Sequence, residues 1–191
     1  MKKLFISLLL LVSCTLSAQK YLPNWESLSA YNEIPEWFKD VKFGIYLHWG
    51  VYSVPEYATE WYPRYMYFKW HDVANFHEKT FGKKDYHELV PLFTAEKFNA
   101  AEWASLFKKA GARFAGLVTE HHDGFSMWDS ECTPWNAADM GPKKDIVGLL
   151  EKSIKGEGMK FITTFHHARN FQRYSDPKVM NEELTKDYNG H

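Results

Sequence analysis

The chain has 191 residues, 45% hydrophobic and 25% charged, a balance that supports a packed core and excludes an intrinsically disordered chain. Its 23 basic and 24 acidic residues nearly cancel, which excludes the one-signed surface that draws nucleic acid or an anionic membrane. A neutral ligand fits better. Aromatic residues reach 17%, and several crowd the polar-interrupted stretch 60–70 instead of spreading through helices.

The first residues read as a leader. Lys2 and Lys3 precede an apolar run, 4–12, that is too short to span a bilayer and has the shape of a signal-peptide core. Export to the periplasm or the exterior is therefore expected. Leu16-Ser17-Ala18 offers the small residues of an ordinary cleavage, giving a signal peptide 1–18 and a mature chain 19–191. The alternative is Leu11-Val12-Ser13-Cys14, a lipobox-like run that would place a lipid on Cys14 and anchor the protein to the outer membrane. No other membrane association is expected. Ordinary cleavage leaves Cys132 alone, so no internal disulfide forms.

Residues 42–49 have the apolar density of a buried strand, which Gly50 breaks. Asn99, with Glu102 three residues on, reads as a helix cap; Trp103, Leu106, Phe107 and Ala110 follow at helical spacing, and Gly111 ends the helix. A second strand, 113–120, leads into His121-His122-Asp123-Gly124. Asp145 then caps a helix carrying Ile146, Leu149, Leu150 and Ile154, Gly156 and Gly158 stop it, and 160–165 forms a third strand ending in His166-His167. Strand, helix and strand in this order predict an α/β fold with a parallel sheet. The Gly-rich phosphate turn of a dinucleotide fold is missing after the first strand, so the expected architecture is a (β/α)8 TIM-like barrel. Only about the first three βα units are present, so a truncated barrel is expected.

The connection 51–92 far exceeds an ordinary βα loop and is expected to cover the barrel mouth. It carries Glu60-Trp61-Tyr62, a carboxylate beside a flat ring. Barrel active sites lie at the carboxyl ends of the strands, which groups His48, His121, His122, His166 and His167 around one mouth. Clustered imidazoles suit either zinc or a polyol. Spacing argues against zinc: the first strand carries one histidine, and His121 and His122 would point different ways from an extended strand. A site assembled from distant strands is the alternative. For a polyol, imidazoles and Glu60 would bond hydroxyls while Trp61 covers the C–H face of the ring. Trp49 and Trp128 are secondary candidates. The loop 123–130 also has a plainer explanation: Gly124 makes a turn, and Phe125 and Trp128 cap the barrel.

Phe43-Gly44-Ile45-Tyr46-Leu47-His48-Trp49-Gly50, then Glu60-Trp61-Tyr62, the helix 98–111, and His121-His122-Asp123-Gly124-Phe125 with Trp128 resemble the α-L-fucosidases of glycoside hydrolase family 29. The resemblance runs from about residue 36 to residue 148 and implies a barrel catalytic domain with a carboxyl-terminal β-sandwich beyond it. It further implies retaining hydrolysis of terminal α-L-fucose on a glycan, with no cofactor and no metal. It makes His48, Glu60, Trp61, His121 and His122 sugar-contacting residues. The nucleophilic aspartate and the usual acid/base would come from later strands, and Glu60 has a claim to an assisting acid role. Many members carry a tyrosine-rich segment where this chain has Phe165-His166-His167, which leaves those histidines less securely placed. Two other readings stand beside this one: a non-catalytic carbohydrate-binding protein and a metal-dependent barrel hydrolase.

Overall fold

The computed structural model describes residues 22–29 and 34–166. The expected signal peptide 1–18, with Cys14, and the candidate His167 lie outside the described residues. The chain divides into two units, Met1–Asp40 and Val41–His191. The described elements of the first are two one-turn helices, α1 (Trp25–Ser29) and α2 (Glu36–Asp40). Asn24 caps α1 by accepting the Ser27 amide on Oδ1 at 2.8 Å.

In the second unit, β1 (Gly44–Leu47), β2 (Phe114–Glu120) and β3 (Lys160–Phe165) form one parallel sheet in the order β1-β2-β3. The middle strand explains its own sequence: with neighbours on both edges, β2 is buried from Ala115 to Glu120, so it reads as a nearly continuous apolar run. Gly116 is required there, since a Cβ would lie 1.7 Å from the Ile162 carbonyl oxygen of β3. β1 is shorter than the expected 42–49. After Leu47 the chain leaves the sheet for the 3-10 turn Val51–Ser53, and His48 and Trp49 stand beyond the ladder.

The crossover helices begin where the cap residues predict. Asn99 Oδ1 accepts the Glu102 amide at 3.2 Å to start α5 (Ala100–Lys109), and Asp145 Oδ1 accepts the Gly148 amide at 2.8 Å to start α6 (Ile146–Gly156). Past their ends, Gly111 and Gly158 take φ of 90° and 73°, a left-handed backbone open to glycine. α6 packs on α5, β2 and β3. Ala104 and Phe107 of α5 join Ile146, Leu150 and Ile154 of α6 and Ala115 and Leu117 of β2 in the core. Each large aliphatic side chain buried this way contributes about 1.5–3 kcal/mol.

The long connection is more ordered than an expected loop. It holds α3 (Tyr62–Tyr65), α4 (Asp72–Phe81) and a 3-10 helix, Tyr86–Leu92. The aromatic stretch is thus partly helical, with Tyr62 and Met66 one turn apart and both buried in the core. A buried histidine ties these pieces together: His77 Nε2 lies 2.7 Å from the Lys84 carbonyl oxygen, and its Nδ1 lies 2.8 Å from Tyr62 Oη. A carbonyl only accepts, so Nε2 carries the hydrogen and Tyr62 donates to Nδ1.

Candidate functional site

The site is built where the strands end, and an irregularity in β2 sets its geometry. Pairing runs Leu117↔Thr163 and Val118↔Thr164, then skips a residue to Glu120↔Phe165. One extra residue on β2 inverts the side-chain alternation beyond it. The next residues, His121 and His166, therefore stand side by side, with ring centroids 4.6 Å apart and 28° between planes. The His166 amide donates to the Glu120 carbonyl at 3.0 Å, which fixes this level.

His121 and His122 do not diverge as an extended strand would make them. The strand ends at Glu120, and the chain turns, with the Gly124 amide donating to the His121 carbonyl at 2.9 Å and Gly124 at φ 72°. Their rings lie 4.6 Å apart, and His122 is 5.1 Å from His166. Both are buried. The turn is held from behind. Asp123 accepts the Tyr86 hydroxyl on Oδ2 at 2.7 Å and the Phe125 amide on Oδ1 at 3.2 Å, and the Ser126 hydroxyl donates to Glu120 Oε2 at 3.1 Å.

From β1, the exposed ring of His48 reaches the same cluster, 5.5 Å from His121 and 5.8 Å from His166. Nitrogen atoms of His48, His121 and His166 all lie within 4.8 Å of one another. Each strand contributes one histidine, so the single histidine of β1 does not separate a metal site from a sugar site as its spacing suggested.

The long connection supplies the facing wall. Trp61 meets His122 at 5.2 Å, and Glu60, half-buried beside it, lines a cavity of about 290 Å³ with His48, Tyr52, Ser53, Tyr57 and Thr59. Glu56 and Ala58 in this wall take φ of 51° and 66°, uncommon for residues with a side chain and characteristic of backbone held in place by its surroundings.

Electrostatics follow from crowding. Burial lowers the His166 imidazole from its ordinary value and the neighbouring His48 adds to this, while the Glu60 charge opposes it. Burial first, then the negative charges of Asp123 and Glu60, hold the Tyr52 phenol above the usual range. The Tyr52 hydroxyl is itself shut off from solvent, so at neutral pH the pocket offers an uncharged His166 imidazole, which can donate to and accept from neutral hydroxyls.

Two candidates stand apart from the histidines. Trp49 turns into an aromatic group with Phe93, Phe98 and Trp103 at 5.1–5.5 Å, and Trp128 meets Phe165 edge-on at 5.6 Å, as a sheet-capping ring would. Two residues of the site escaped the sequence reading. Tyr46 lies 5.0 Å from His48 and 3.3 Å, Oη to Nε2, from His166. Its i, i+2 relation to His48 on a strand was the available signal. Tyr52, 5.3 Å from His121, sits on a 3-10 turn where no period points to it.

Parallel strands alternating with helices, and imidazoles gathered at the strand ends beside a carboxylate and an indole, define an α/β protein with a polar, aromatic-walled pocket. The alpha-L-fucosidase family model matches residues 8–190, and the chain belongs to that family. It is 43% identical over 146 residues to the plasma alpha-L-fucosidase of Homo sapiens, covering 73% of this chain and 30% of that protein. It is 37% identical over 168 residues to the alpha-L-fucosidase of Dictyostelium discoideum, covering 83% of this chain and 36% of that one. Among solved structures, the Thermotoga maritima alpha-fucosidase in complex with fucose superposes with a TM-score of 0.73 at 36% identity, over 88% of this chain and 44% of its own. The chain spans about a third of the length of these curated relatives.

Proposed function

We propose that the whole protein is a retaining exo-glycosidase that releases terminal α-L-fucose from fucosylated glycans, and that the present residues supply the part of the pocket that holds the sugar. The carrying observation is the convergence of His48, His121, His122 and His166 from three strand ends on the wall formed by Glu60 and Trp61. In this reading β1, β2 and β3 are the first three strands of a (β/α)8 barrel, and the pocket opens at its catalytic face.

Each group then has a task. The imidazoles of His48, His121 and His122 hydrogen-bond sugar hydroxyls, Glu60 accepts from one or two more, and the Trp61 ring covers the apolar face of the pyranose. The His166 imidazole, kept uncharged by burial and by its neighbour His48, suits a neutral sugar. Double displacement needs two carboxyl groups about 5–5.5 Å apart, one attacking the anomeric carbon and one moving the proton. The attacking aspartate and the main acid/base belong to later strands of the catalytic domain, with Glu60 a sugar binder first and an assisting acid second. No cofactor takes part. The leader 1–18 delivers the protein to the periplasm or the exterior; lipid anchoring through Cys14 is excluded if Cys14→Ser is processed unchanged.

The direct test is hydrolysis of 4-nitrophenyl α-L-fucoside by the whole protein. Turnover with net retention at the anomeric carbon is expected. A folded protein that binds fucose without turnover would instead be a carbohydrate-binding relative of the enzymes.

A further inference from the structure

The same pocket carries a second chemistry. We propose that His48, His121 and His166 form a binding site for a divalent transition-metal ion of the zinc class, and that this ion and the sugar exclude one another. The metal is a competing occupant here, not a catalyst. The exclusion rests on the sugar-pocket reading; the metal site itself does not.

Three features carry the proposal. First, the donor set is the one zinc prefers: three imidazoles, one from the end of each of three parallel strands, with His48 also lining the open cavity. Second, the nitrogens already lie within 4.8 Å of one another. Zn–N bonds of about 2.0–2.1 Å in a tetrahedron need nitrogens roughly 3.4 Å apart, so a contraction of up to about 1.4 Å completes the site. The ring arrangement permits it, since His121 is buried and His166 is held by Tyr46, while His48 is exposed and turns about its side-chain torsions toward them. Third, the surroundings suit a dication. Glu60 lines the same cavity as His48 and supplies a balancing negative charge, and Tyr46, 3.3 Å from His166 Nε2, holds that ring in the cluster. His122 stands outside the trio with its ring against Trp61.

An imidazole nitrogen bound to metal cannot also hydrogen-bond a hydroxyl, so occupancy by either ligand weakens the other by linkage. The enzyme would then be inhibited reversibly by zinc and protected from it by fucose.

The experiment uses the whole protein, untagged and metal-stripped, with Co²⁺ as a spectroscopic probe and Zn²⁺ titrated by calorimetry. One equivalent of Co²⁺ should give the intense visible bands of a tetrahedral nitrogen site, displaced by Zn²⁺. His48→Ala and His166→Ala should each weaken Zn²⁺ binding by more than about tenfold, whereas His122→Ala should keep the cobalt spectrum. Saturating L-fucose should raise the apparent Kd for Zn²⁺. No tetrahedral cobalt spectrum, or zinc binding indifferent to both His48→Ala and His166→Ala, overturns the proposal. Circular dichroism confirms that each variant is folded, and His48, being exposed, tolerates truncation. Fucose binding without metal binding defeats the metal site and leaves the sugar reading intact. Metal binding unaffected by fucose, in a protein that binds no fucose, defeats the sugar reading and supports the metal site.

Discussion

The Tyr86 hydroxyl donates to Asp123 Oδ2 across 2.7 Å, and both residues are sealed from solvent, at 0% and 1% exposure. Tyr86 belongs to the long connection and Asp123 to the turn that carries His121 and His122. This buried contact therefore fixes the facing wall of the pocket relative to the imidazoles. Tyr86→Phe keeps the ring and removes the donor, leaving a buried carboxylate oxygen with one partner fewer. A loss of about 1–3 kcal/mol is expected in denaturant unfolding of the whole protein, with weaker fucose binding. Unchanged stability would mean that the contact does not fasten the turn.

Gly116 tests the strand register on which the site depends. Gly116→Ala drives a methyl group onto the Ile162 backbone oxygen, which no side-chain rotation relieves. Separation of β2 from β3 and a loss of about 3 kcal/mol or more are expected by urea unfolding. The matched control is Gly156→Ala at the end of α6, where an added Cβ meets nothing within 4 Å. That substitution should be neutral or stabilise by up to about 1 kcal/mol.

Alkaline stability reports on the buried phenols. Burial raises the Tyr62 phenol above its ordinary value of 10.0, and Tyr52 moves the same way. A raised value in the folded state means that the native protein keeps protons that the unfolded chain releases. Stability from this source is complete below pH 10 and falls as pH rises beyond it. Tyr62→Phe should lower stability at neutral pH by about 1–2 kcal/mol, because His77 Nδ1 loses its donor, while flattening the alkaline decline. Thermal melts across the alkaline range check both signs.

The two tryptophans should separate binding from packing. Trp61→Ala is expected to weaken L-fucose binding by about tenfold or more with little change in melting, as fits a ring at the pocket wall. Trp49→Ala should do the reverse, costing about 3 kcal/mol of stability by emptying a place among Phe93, Phe98 and Trp103. Equal effects on affinity would show that Trp49 also faces the sugar.

Glu60→Gln keeps the shape of the side chain and removes its charge. A charge-assisted hydrogen bond contributes about 1.5–3 kcal/mol, so fucose affinity should drop by about ten- to a hundredfold in calorimetry. A loss confined to kcat, with binding intact, would assign Glu60 to proton transfer instead.

Local rules carried much of this protein in its sequence. Asn99 and Asp145 cap helices because a short polar side chain satisfies a free amide three residues ahead, and Gly111 and Gly158 end them because only glycine enters the left-handed backbone without strain. The apolar run 113–120 read as a buried parallel strand for an equally local reason, and it is buried from Ala115 on. His48, His121, His122 and Glu60 were legible as candidates from where strands end and from the family resemblance. Their arrangement was not. The extra residue of β2 between Val118 and Glu120 decides which ring His166 faces, the turn at Gly124 brings His121 and His122 together, and helix packing sends Trp49 toward Phe93. A shift of one residue between neighbouring strands exchanges every side chain from one face to the other, and only tertiary pairing fixes that shift.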